Sequence, residues 1–112
     1  MKAILIDPRG KPPVSEIDVV NELEPLQKIV GGYLEAHRLE SGDLLLVDED
    51  YNMKANPKFK GKFDIKWVVR PGRTRTDIFG GRGLIVGSKG DNFTDPKLNL
   101  LAASRLANIH IS

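Results

Sequence analysis

The chain has 112 residues, 40% of them hydrophobic, which suits one domain with its own core and excludes disorder throughout. It has no cysteine, so disulfides, thiol catalysis and thiolate metal sites are excluded, as befits a reducing compartment. The net charge of +2 hides an asymmetry: residues 54–75 carry eight cations and one anion, the rest nine cations and fourteen anions.

Residues 2–6, Lys2-Ala3-Ile4-Leu5-Ile6, form a short apolar run ending at Asp7-Pro8-Arg9-Gly10, where proline fixes φ and glycine permits a left-handed residue. The run 14–19 carries Val14, Ile17 and Val19 and alternates in its second half, which predicts a first hairpin. The opening segment lacks the long apolar stretch and small-residue end of a secretory leader, and no run approaches spanning length. A cytoplasmic protein is therefore expected, with the sequon Asn92-Phe93-Thr94 accidental.

A helix follows. Leu23, Leu26 and Val30 fall on one stripe, with Ile29 beside it. Two starts compete: Asn21 as cap with Glu24 three positions on, or Glu24 as cap with Pro25 in the first helical position, the second being preferred. Gly31 is predicted to end the helix in the left-handed region, and Gly32 to let the chain reverse. The helix spans about two turns, so packing must hold it.

Residues 33–39 alternate, and Ser41-Gly42-Asp43 turns the chain into Leu44-Leu45-Leu46-Val47, a continuous apolar run of the central-strand kind. A second hairpin is expected, closed by the acidic turn 48–52. Within the basic segment, Phe63, Ile65, Trp67 and Val69 share one side of a predicted strand, and Pro71-Gly72 ends it. Residues 73–77 read as a polar link, and Leu84-Ile85-Val86 as another strand. Asp95-Pro96 is expected to open a last helix, with Leu98, Ala102, Leu106 and Ile109 along one face.

Four motifs invite chemistry. Asp48, Asp50 and Asn52 have calcium-loop spacing, but Met53 stands where glycine belongs and Phe59 where a bidentate glutamate belongs, so a solvated turn is the reading. Gly80-Gly81-Arg82-Gly83 precedes a strand instead of opening a helix, so the glycines indicate a bulge or close backbone approach; Arg82 remains an anion contact. His37 and His110 lack partners at ligand spacing, so no metal or other cofactor is expected. The basic segment is the strongest candidate. Lys58, Lys60, Lys62, Lys66, Arg70, Arg73 and Arg75, with Arg82 added, can neutralise phosphates while a ring such as Trp67 stacks on a base. The competing reading makes the rings core and the lysines the solvated side of an amphipathic edge strand.

The order of motifs resembles the domain-of-unknown-function family 3846. The resemblance rests on residues 1–8, Leu26-Gln27 through Gly31-Gly32-Tyr33 with Glu35, and the strand and acidic turn 44–50. It extends to Asn56 in Lys54-Ala55-Asn56-Pro57 and to Gly83-Leu84-Ile85-Val86-Gly87 followed by Asp91-Asn92-Phe93-Thr94. Residues 58–75 depart most, being longer and more basic. The resemblance implies a phage, plasmid or conjugative-element protein, a setting of small accessory and host-defence-countering proteins. It implies no particular reaction.

The resulting expectation is a single α+β domain over 1–112. A mostly antiparallel sheet of about five strands carries one short helix and a C-terminal helix, in only two layers at this length. Its expected function is non-enzymatic binding of an anionic partner, nucleic acid first. The alternatives are inhibition of a host protein, with a homodimer allowed, or capture of a nucleotide-like molecule.

Overall fold

The computed structural model describes residues 1–51 and 61–111. Its strands and helices run β1 (Lys2–Ile6), β2 (Val14–Asp18), α1 (Leu23–Val30), β3 (Leu34–Arg38), β4 (Leu44–Asp48), β5 (Gly61–Arg70), β6 (Arg73–Gly80), β7 (Gly83–Lys89), β8 (Asn92–Thr94), α2 (Leu100–Leu106) and β9 (Ala107–Ile111). The fold is α+β, and every strand pairing among the described residues is antiparallel. The strands form two sheets. The larger has the order β2-β1-β7-β4-β3, with β8 also on β7; the smaller is β6-β5-β9.

Both expected hairpins are present, pairing β1 with β2 and β3 with β4. The two continuous apolar runs lie side by side at the middle of the large sheet, where Leu45 and Ile4 flank Ile85 on opposite edges. Strands buried on both faces need such sequences. Residues 73–77, expected to be a link, are strand: β6 pairs back along β5 from Arg73 to Gly80. Alternating arginine and threonine conceal an edge strand because no apolar period marks it.

Three layers stack where two were expected. On one face of the large sheet, Ala3, Leu46, Leu84 and Val86 meet Leu26 and Val30 of α1. On the other, Ile4, Ile6, Leu45, Val47 and Ile85 meet Phe63, Ile65 and Phe79 of the small sheet and Ala103 of α2. The layer that α1 supplies is small, eight residues long.

The helix starts differ from both expected ones. Helix α1 is capped by Glu22, whose side chain makes no capping bond, and Pro25 is the third helical residue. Its missing N–H is one that a first turn leaves unpaired anyway. Leu23 is exposed, and Leu26, Ile29 and Val30 carry the packing. Helix α2 begins after Asn99, whose side chain accepts the Ala102 N–H at 2.8 Å. Asp95 instead accepts the backbone N–H of Lys2 at 2.8 Å, fixing β1 to the segment after β8. Ile109 lies beyond the helix, in β9.

Asp43 locks the start of α2 to the β3–β4 turn. It is buried; one carboxylate oxygen accepts the Lys97 N–H, and the other accepts Leu98 N–H and the Ser41 hydroxyl, all at 2.9–3.0 Å.

Candidate functional site

The candidate cations follow the pleat of the β5–β6 hairpin. Side chains alternate across a strand, so Phe63 and Ile65 point into the core and are fully buried, while Lys62 and Lys66 stand on the outer face and are exposed. Asp64 shares that outer face and accepts the Asn108 amide at 2.9 Å. Arg70 pairs with Arg73 at the tip, after a bulge in β5, and both are exposed. Arg75 lies opposite Trp67, on the core side but at its open rim, and pairs with Asp77 at 3.1 Å. Trp67 is half-buried, and its indole N–H has no hydrogen-bond partner among the described residues.

This separates two properties that the sequence places together. The lysines face outward and the aromatic rings inward, so Phe63 is core and Trp67 is shared between core and rim. Strand β5 is also the central strand of its sheet, not an edge. Lys58 and Lys60, with Phe59, lie outside the described residues. Arg82 lies in the turn between β6 and β7, about 25 Å along the hairpin from its tip. Its guanidinium comes within 3.7 Å of where a Cβ on Gly31 would stand, so it borders the end of α1. The structure thus groups Lys62, Lys66, Arg70, Arg73 and Arg75 on one hairpin and leaves Arg82 apart.

The Gly-Gly-Tyr stretch borders a cleft that sequence reasoning missed. Gln27, Lys28, Gly31, Gly32, Tyr33 and Asp50 line about 590 Å³ of open space, with Asp48 at the floor. Gly31 has φ 98° and donates to the Gln27 carbonyl, as a helix end requires. Gly32 has another cause: a Cβ there would lie 2.7 Å from the Asp48 carboxyl carbon. The buried Asp48 carboxylate accepts the Asp50 N–H at 2.9 Å beneath it. Tyr33 projects at the mouth, 69% exposed. The signal available in sequence is the glycine pair itself, of which the helix end accounts for Gly31 alone.

A third cluster joins the two sheets. His37 Nε2 is 2.8 Å from a Glu35 carboxylate oxygen, and its ring meets those of Tyr51, Phe79 and Trp67 at 5.5, 5.2 and 6.4 Å between centroids. Burial raises the Tyr51 phenol above its ordinary pKa, the Glu35 and Asp77 carboxylates add to this, and Arg75 opposes it. Tyr51 is therefore neutral at physiological pH and acts here as packing. Among the described residues no three His, Asp or Glu side chains are placed to hold a metal ion, and no helix is long and apolar enough to cross a membrane.

Gly83 makes the close approach expected of the glycine cluster. A Cβ there would stand 2.7 Å from the Phe63 ring and 3.1 Å from Leu45, so the glycine admits the ring between the sheets. No curated protein and no solved structure matches the chain. A family model described as "Domain of unknown function (DUF3846)" matches residues 1–103, a span that runs from β1 into α2 and leaves out β9. With nearly the whole fold inside the match, the chain belongs to the DUF3846 family.

Proposed function

We propose that this is a non-enzymatic accessory protein of the phage or mobile-element kind that binds an anionic partner, nucleic acid first, through the β5–β6 hairpin. One observation carries the reading: Lys62, Lys66, Arg70, Arg73 and Arg75 are all exposed on one β-hairpin, at its outer face, tip and rim. Cations on a hairpin contact a phosphate backbone without reading sequence. Because the rings point inward, base stacking contributes little, and charge supplies most of the affinity.

Fluorescence anisotropy with labelled single- and double-stranded DNA and RNA tests this. If all five cations meet phosphates, the affinity of a DNA duplex falls with salt on a log–log slope of about −4.5. Lys66→Glu with Arg73→Glu weakens binding at least about tenfold and flattens the slope by about 2. Salt-independent retention, or no binding to any of the four nucleic acids, counts against the reading.

The cleft at the end of α1 supports a second reading, capture of a nucleotide-like molecule. Its volume is that of a small-molecule site. The exposed Tyr33 ring offers a stacking surface, and the Gln27 and Asp50 side chains offer acceptors for a base edge. A nucleoside and nucleotide panel should then raise the melting temperature, and Tyr33→Ala should abolish the rise without altering the unliganded value. A flat panel removes this reading.

A further inference from the structure

Strand β6 ends the small sheet, with no strand beyond it among the described residues. The directions of its amides follow from two bonds. Gly81 N–H donates to Gly61 of β5, whereas Gly80 N–H donates away from β5, to the Tyr51 carbonyl. Amide direction alternates along a strand, so the N–H and C=O groups of Thr74, Thr76 and Ile78 point away from β5. These three residues are also exposed, β-branched and uninterrupted by proline. Such an edge is a template for another strand unless something covers or repels it.

The charges on the edge favour one partner. Arg75 and Asp77 flank Thr76. In an antiparallel pairing with an identical strand centred on Thr76, Arg75 of each copy stands opposite Asp77 of the other. Thr74, Thr76 and Ile78 then exchange main-chain bonds with Ile78, Thr76 and Thr74 of the second copy. The Arg75–Asp77 pairs occupy the non-hydrogen-bonded positions, where facing side chains approach most closely. A two-fold axis makes the contact self-complementary and closed, so it stops at two chains.

We propose that β6 is a homodimer edge in this register, giving a continuous sheet ordered β9-β5-β6-β6-β5-β9 across two copies. The run ends at Ile78 because Tyr51 already occupies the Gly80 N–H. The inference does not depend on the anionic-partner reading. It does set Lys62 and Lys66 of both copies on one side of a shared sheet.

Sedimentation velocity over a concentration series tests it by charge exchange. The wild-type chain is expected to dimerise reversibly at micromolar concentration. Arg75→Asp alone and Asp77→Arg alone each set like charges opposite one another twice per dimer, weakening association about tenfold or more. Mixing these two variants restores opposite charges at both positions and should recover a heterodimer. The double exchange Arg75→Asp with Asp77→Arg should recover the homodimer at unchanged net charge. Circular dichroism checks that each variant keeps the fold. A monomeric wild-type chain overturns the proposal, as does a dimer indifferent to both reversals or a mixture no stronger than its components.

Discussion

Phe63→Ala is expected to lower the free energy of unfolding by about 3–5 kcal/mol in a urea titration, the range for a buried aromatic truncated to alanine. Phe63 is fully buried, stacks on Phe79 at 5.4 Å between centroids, and reaches over Gly83 and beside Leu45. Its loss opens a cavity between the two sheets, where a rigid strand pairing on each side limits collapse. The reciprocal change is informative. Gly83→Ala in the wild-type background costs about 1–3 kcal/mol, because its Cβ meets the ring. In the Phe63→Ala background that Cβ enters vacated space, so the two changes should be less than additive by more than about 0.5 kcal/mol. Additivity within error would show that the ring does not fill the space above Gly83.

Asp43→Ala should cost about 2–5 kcal/mol, since it strands the Lys97 and Leu98 N–H groups and the Ser41 hydroxyl at a buried position. Asp43→Asn keeps one acceptor oxygen and should cost roughly half as much. Hydrogen exchange separates this from a general loss of stability: the amides of Lys97 and Leu98 should lose protection before those of β7. An alanine variant within about 0.5 kcal/mol of wild type, with both amides still protected, would remove Asp43 as the lock between the β3–β4 turn and α2.

Much of the large sheet was legible because its strands state their burial in their composition. Leu44-Leu45-Leu46-Val47 and Leu84-Ile85-Val86 are apolar on both faces, and all but the half-buried Leu44 are buried. Gly31 as a helix end was equally plain, since only a left-handed residue needs its freedom there. The misses have physical causes. Strand β6 carries arginine, threonine and aspartate, a sequence that resembles a linker until β5 is seen beside it. The start of α2 was misplaced because Asp95-Pro96 looks like a cap, while Asp95 is engaged by Lys2, distant in sequence. Gly32 and Asp48 are sixteen residues apart, so the carboxylate that requires the glycine could not be inferred from local pattern. The same limit hid the cleft, which forms only where α1 and the end of β4 meet.

For the candidate face, the alternation of β5 was legible, and of its two readings the one that makes the rings core and the lysines a solvated side holds, on a central strand instead of an edge. Sequence placed Phe63, Ile65 and Trp67 together, and the structure turns that side inward. Charge and aromaticity are thus split between the two sides of the strand at Lys62 and Phe63, whereas Lys66 and Trp67 border one small cavity. Arg82 was joined to the basic segment by nearness in sequence, and the length of the hairpin separates them.

The same alternation bears on how this chain can change over generations. Residues on the inner side of β5 are held by Phe79, Leu45 and Ile85, so substitutions there are tested by folding. Lys62 and Lys66 are exposed on the other side, so substitutions there are tested far less by folding. Strand β5 thus offers a fixed scaffold on one side and a more freely editable label on the other.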